Sequence, residues 1–308
     1  MIHFCTVQQS KQFRITWQTQ QDKDYLIICK LTDLLRINNY RGTVVVHEHS
    51  ALVLFLIFAI MRLKKLNELY LIFDIHDALH RKRFSWKKYP KYFLYLAAEI
   101  IFTKIVPTYK ILVVSDTQKE VLGKHFKESR IFVVSNFGGL LFDHAKLQKR
   151  AREVHLPTAR YCYFGYIDHR KIDYEFYTKL GKRYDLKLYG SIRASLPDNL
   201  TPCWLGAYTQ TDYNKLLDKF DVLIYIPGRT LIEITETYLN VKLLMALAAG
   251  KHVIVPKSMS TFLSLFEHNE IRFLENNLCL VKLTENNYRF MVQETYDSRN
   301  QYLRACYD

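Results

Sequence analysis

Several short constellations in this 308-residue chain carry side chains able to do chemistry. Asp74-Ile-His-Asp77 follows the apolar run Leu69–Phe73 directly. Its polar groups therefore fall at the carboxyl edge of a strand, where open α/β sheets place a general base or a substrate-binding histidine. The competing reading is Asp77 as a helix cap with exposed neighbours. His47-Glu-His49 also closes a strand. An H-x-H pair on an extended segment needs a third ligand to hold a metal, and none is evident, so a structural or cleft-lining role fits it better. No metal site is expected.

Two stretches in the second half could hold an anion. Phe164-Gly-Tyr-Ile-Asp-His-Arg-Lys171 sets Gly165 and then the adjacent cations Arg170 and Lys171 in a loop between a strand and a helix. Such a loop, feeding a positive helix N-terminus, can hold a diphosphate. Further on, Asn240 can cap a helix whose first turn contains Lys242. A lysine there opposes the helix dipole unless an anion sits at that terminus. An alanine-rich core helix with an exposed lysine is the competing reading.

Residues 81–91, RKRFSWKKYPK, hold six cations in eleven positions, interleaved with Phe84, Trp86 and Tyr89. Cations beside amphipathic rings suit an anionic membrane surface, with Arg81, Lys82, Arg83, Trp86, Lys87 and Lys88 as contacts. Each Lys or Arg near an anionic leaflet contributes about 1 kcal/mol. A solvated face with inward-packed rings is the plain alternative. Single-stranded RNA is a distant third, because no RNA-binding signature accompanies the patch.

The elements that must position these groups alternate between short apolar runs and helical patterns. Strands are expected at Tyr25–Cys29, Thr43–His47, Leu69–Phe73, Ile111–Val114 and Ile131–Val134, with Ser115 or Asp116 capping a helix over Thr117–Phe126. The rhythm breaks over residues 140–158 and restarts with strands Tyr161–Phe164, Leu186–Tyr189, Val222–Ile226 and His252–Val255. Helices are expected over Asp173–Arg183, Gln210–Lys219 and Val241–Ala249, the last stopped by Gly250. This predicts two Rossmann-like, doubly wound α/β domains, residues 1–150 and 151–308. Residues 1–40 hardly supply an opening β-α-β with a Gly-rich loop, so the first domain reads as shortened. The tail after residue 257 shows helical patches, and its last helix is a candidate to pack back on the first domain.

Charge is unevenly placed. Residues 1–150 hold 24 basic and 12 acidic side chains, a balance of +12, which leaves +2 of the chain's +14 for the rest. The excess points to an anionic partner for the first domain. Six scattered cysteines with no C-x-x-C pair exclude a zinc ribbon or thioredoxin motif and read as reduced core thiols. No signal peptide is expected from the opening residues. The longest apolar run, Ala51–Met61, is 11 residues where a bilayer span needs about 20.

The order of these segments resembles the GT-B glycosyltransferases of the retaining, nucleotide-sugar-dependent kind that build bacterial polysaccharides. The likeness runs over about residues 40–260. It rests on Val46-His-Glu-His-Ser50, Asp74–Asp77, Val114–Leu122, Ser135-Asn-Phe-Gly138, Gly165–Asp173, Leu188-Tyr-Gly190, Leu205–Pro227 and Asn240–Ile254. The resemblance implies two domains facing a central cleft, with the second binding the donor. Arg170, Lys171 and Lys242 would neutralise the donor diphosphate. Gly165, Gly190, Asn240, Tyr208 and Glu236 would complete the donor site, with Gly190 and the Leu205–Tyr208 loop against the base. His76 and Asp77 would face the transferred sugar and acceptor as the catalytic side chains. Where the family holds an acidic residue for the donor ribose, this chain has Met245.

The expectation is a metal-independent glycosyltransferase that uses a nucleotide sugar, UDP-linked by analogy, as co-substrate. Its acceptor would be a lipid-linked or growing glycan, at the cytoplasmic face of the cell membrane. No other cofactor and no nucleic-acid partner are implied. The rival expectation is a non-catalytic partner subunit of the same fold, binding glycan or protein.

Overall fold

The computed structural model describes residues 1–5, 17–22, 24–37, 40–47, 51, 55, 57–59, 68–75, 108–124, 126–140, 154–169, 172–192, 195–208, 215–228, 240–268, 271–282 and 284–308. They form two compact units, Met1–Gly139 together with Thr295–Asp308, and Leu140–Glu294.

In the first unit, strands β1 (Ile2–Phe4), β2 (Leu26–Ile28), β3 (Gly42–His47), β4 (Leu69–Asp74), β5 (Tyr109–Val113) and β6 (Ile131–Val133) make one sheet. Its order is β2-β1-β3-β4-β5-β6 and every pairing is parallel. Alternate residues enter two cores. Ile2, Phe4, Val44, Val46, Leu71, Phe73, Ile111 and Val113 pack with Phe55 and Phe58 on one face. Val45, Ile72 and Leu112 pack with Trp17, Tyr302, Ala305 and Cys306 on the other. Burial on both faces is why these strands read as unbroken apolar runs.

The opening of the chain differs from expectation. Residues 1–40 supply two parallel strands, β1 and β2, with a helical turn at residues 17–19 between them. The first sheet therefore has six strands, as many as the second. What the segment lacks is glycine, the first in the chain being Gly42. Helix α1 (Asp116–Gly123) follows β5, and Ser115 caps it by accepting the Gln118 N–H at 3.3 Å.

The second unit contains β7 (Arg160–Phe164), β8 (Asp185–Tyr189), β9 (Val222–Ile224), β10 (His252–Pro256), β11 (Ile271–Leu274) and β12 (Leu278–Val281), in the order β11-β12-β10-β9-β7-β8. The four expected strands are parallel, and an unexpected antiparallel hairpin, β11–β12, extends the edge beside β10. Helix α2 (Tyr174–Gly181) is capped by Asp173, which accepts from Phe176 at 3.0 Å. Helix α3 (Val241–Ala248) buries Leu243, Leu244, Ala246, Leu247 and Ala248. It stops at Gly250, whose φ of 76° suits a left-handed cap, with Lys251 N–H returning to Ala246 at 2.9 Å. A short helix, α4 (Ser260–Leu263), precedes the hairpin, and the 23-residue α5 (Glu285–Tyr307) closes the described chain.

From Thr295 onward α5 belongs to the first unit. There Thr295 donates to the Phe137 carbonyl at 3.0 Å, Ser298 bonds Ser135 at 2.6 Å, and Arg299 donates to the Gly138 carbonyl at 2.8 Å. These bonds hold the Asn136–Gly139 turn. Trp17 lies against Gly138 so closely that a Cβ there would sit 2.7 Å from the ring.

Candidate functional site

In the second unit the carboxyl ends of β7 and β8 meet the start of α3. Phe164 pairs with Tyr189, so Gly165 and Gly190 leave the sheet side by side. A Cβ on Gly190 would lie 1.6 Å from the Gly165 carbonyl oxygen, and one on Gly165 would lie 2.4 Å from the Tyr163 hydroxyl. Only glycine fits at either place. Gly190 is also pinned through its backbone. Its N–H donates to Gly206 at 2.9 Å, and its carbonyl accepts the Trp204 indole N–H at 2.9 Å.

Lys242 joins this group from the helix side. Asn240 caps α3 by accepting the Lys242 backbone N–H at 3.0 Å. The Lys242 ammonium donates to the Phe164 carbonyl at 3.3 Å and lies 5.7 Å from the centre of the Tyr208 ring. Tyr208 in turn meets Phe164 edge-on, and Phe164 stacks on Tyr189. Burial lowers the Lys242 amine from 10.5 to about 8. It lifts the Tyr225 hydroxyl to about 12 against the opposing hydrogen bond from Asn240. Asp168, 2% exposed, follows in the loop after β7.

Five of the expected donor-site residues, Gly165, Gly190, Tyr208, Asn240 and Lys242, are thus in one connected neighbourhood. Arg170, Lys171 and Glu236 lie outside the described residues. What the arrangement offers chemically is a cation held in an aromatic, glycine-lined corner at a helix N-terminus. An ammonium desolvated there and opposed by the helix dipole gains most from an arriving anion. Trp204 carries no reactive group and gave no sequence signal, yet its indole N–H holds the Gly190 carbonyl, as the Phe164 carbonyl holds Lys242.

The first unit holds a different constellation. His47, at the end of β3, bonds Asp74 through Nδ1 at 3.1 Å and His3 through Nε2 at 2.8 Å. His3, in the middle of β1, bonds Asp22 through Nε2 at 2.8 Å. Asp22 also accepts from the hydroxyls of Tyr302 at 3.2 Å and Tyr307 at 2.9 Å. His3, His47 and Asp74 are at most 1% exposed.

Proton counting defines this row. Three hydrogen bonds join Asp22, His3, His47 and Asp74, and each needs one proton. Burial, opposed by the Asp22 hydrogen bond, lowers His3 from 6.5 to about 4. His3 is therefore neutral, donating to Asp22 and accepting from His47. The tyrosine hydroxyls add two further donors at the Asp22 end.

Both nitrogens of His47 are committed within the protein, which makes it structural and removes it from any cleft lining or metal set. Asp74 is likewise spent on His47. His76, Asp77, His49 and the basic patch with Arg81, Lys82, Arg83, Trp86, Lys87 and Lys88 lie outside the described residues. Among the described residues no three His, Cys, Asp or Glu side chains are grouped to hold a metal, and no helix is long and apolar enough to cross a membrane.

No protein-family model matches the chain, and no curated protein matches it. Among solved structures it is similar to the catalytic domain of starch synthase IV from Arabidopsis thaliana bound to ADP and acarbose. The TM-score is 0.49 at 11% identity, over 90% of this chain and 70% of that one. A likeness of that size carries no argument. The two-sheet architecture stands on the strand orders above.

Proposed function

We propose that the protein is a glycosyltransferase of GT-B type, moving a sugar from a nucleotide diphosphate donor to a lipid-linked or growing glycan. The observation that carries this reading is Lys242, an ammonium held at the N-terminus of α3 beside the paired glycines that end β7 and β8. In the reaction the bond between the sugar and the diphosphate breaks, and a bond to the acceptor oxygen forms. The acceptor hydroxyl proton leaves as that bond forms. Negative charge grows on the leaving diphosphate, and a preorganised cation stabilises it there. Lys242 supplies that charge, with Arg170 and Lys171 adding to it. Gly165 and Gly190 let the ends of β7 and β8 close on each other and so shape the floor of the donor side, while Tyr208 and Glu236 complete it.

On this reading the first unit is the acceptor side, with His76 and Asp77 facing the transferred sugar. Its basic excess and residues 81–88 hold it to an anionic membrane surface on the cytoplasmic side. The donor is UDP-linked and the transfer needs no metal.

The test is melting temperature against a panel of nucleotides and nucleotide sugars. A ligand at 100 times its Kd adds about 2.7 kcal/mol. A shift with one nucleotide family, lost in Lys242→Ala and Arg170→Ala along with transfer but not folding, is expected. Turnover unchanged in both variants overturns the donor site. Met245, a thioether where a carboxylate would hold ribose hydroxyls, favours the rival reading of a non-catalytic partner subunit. Folded protein that shifts with no nucleotide decides for that rival.

A further inference from the structure

Cys5 and Cys29 follow β1 and β2 directly. Phe4 pairs with Ile28, and Cys5 N–H continues the ladder by donating to the Ile28 carbonyl at 3.0 Å. The two cysteines therefore stand opposite each other on neighbouring parallel strands. Such strands run about 4.8 Å apart, and a disulfide accepts Cα separations of about 4.4–6.8 Å. The two sulfurs are already 3.4 Å apart. Cys5 is fully buried and Cys29 half-buried, so a reagent in solution meets Cys29 first. β2 is a three-residue strand at the edge of the sheet formed by the described residues.

None of the other four thiols has such a partner.

We propose that Cys5 and Cys29 form a reversible disulfide, a redox modification site whose co-reactant is a small disulfide of the oxidised-glutathione class. The Cys29 thiolate attacks that disulfide, making a mixed disulfide and releasing one glutathione thiolate. The Cys5 thiolate then attacks the Cys29 sulfur and releases the second. The protein gives up two protons and two electrons, and one glutathione disulfide becomes two thiols. The new bond clamps the edge strand to β1 at the carboxyl end of the sheet, the end where open α/β sheets take ligands. This holds whether or not the protein transfers sugars.

The experiment is intact mass and peptide mapping of the whole protein after incubation with oxidised glutathione, before and after dithiothreitol. The expected product is lighter by two hydrogens, joins the Cys5 and Cys29 peptides, and reverts on reduction. Cys5→Ser should instead keep one glutathione on Cys29. Should that buried substitution prevent folding, Cys29→Ser serves, and it should form no crosslink at Cys5. A wild-type protein that stays fully reduced, that keeps a stable glutathione on Cys29, or that crosslinks Cys5 without Cys29 overturns the proposal.

Discussion

The two units bury polar chemistry at the carboxyl ends of their sheets in opposite ways. The first closes its polar groups on one another, since each member of the row Asp22, His3, His47 and Asp74 is bonded to the next and two tyrosines finish the Asp22 end. The second sets a cation, Lys242, against a carbonyl and an aromatic ring, with burial working against its charge. A closed row stabilises a fold and has little left to give a ligand. A desolvated cation at a helix N-terminus gains from an arriving anion. That difference is why the second unit carries the proposed donor site, although the sequence offers acids and histidines in the first.

The largest effect should come from breaking the closed row. Asp22→Ala strands neutral His3 and two tyrosine hydroxyls, and a buried polar group left without its partner costs about 1–3 kcal/mol. Urea unfolding should show that loss. A variant within 1 kcal/mol of wild type, on the order of an exposed pair, would mean the row is not closed.

Next is the glycine pair. Gly190→Ala drives a methyl into the Gly165 carbonyl and should cost about 3 kcal/mol, at the upper end of overpacking. Gly206→Ala meets nothing within 4 Å but keeps a φ of 102°, so it should cost about 1–2 kcal/mol. Equal losses in the two variants would mean that contact is not what selects glycine at 190.

Two pH windows separate the units further. His3 is lowered to about 4 from 6.5, so between those values the unfolded chain binds the extra proton and the fold does not. Stability should fall on acidification across that window, by at most about 1.4 kcal/mol per pH unit beyond other groups. His3→Gln, which keeps a donor and an acceptor without titrating, should lose that part of the slope. Lys242 is lowered to about 8 from 10.5, so its fold is favoured as pH rises from 8 towards 10. Lys242→Met should be flat relative to wild type in that range. Parallel curves for mutant and wild type would mean Lys242 is solvated.

The parallel strands of the first sheet were legible because both its faces are buried, so Thr43–His47, Leu69–Phe73 and Ile111–Val114 stand out as apolar runs. β1 was not legible. It is three residues long, and its middle residue is a histidine that is buried only because Asp22 and His47 satisfy it. The hairpin β11–β12 mixes Arg272 and exposed Phe273 into its first strand. Its one local signal was Asn276-Asn277, both at φ 57°, residues that tolerate a primed turn. The second unit's site was largely readable, because Gly165, Gly190, Asn240 and Lys242 each end or begin an element. The first unit's row was not, since its partners lie 19, 44, 27 and 280 residues apart.

The second half of α5 gives the protein an unusual order of assembly. Tyr302, Ala305 and Cys306 fill one face of the first sheet, and Tyr302 and Tyr307 complete the Asp22 bonds. A ribosome delivers those residues only after all of Leu140–Glu294 has emerged. Domains usually mature in the order they are made. Here the later-made unit can finish first, while the earlier one waits with Trp17, Val45, Ile72 and Leu112 uncovered.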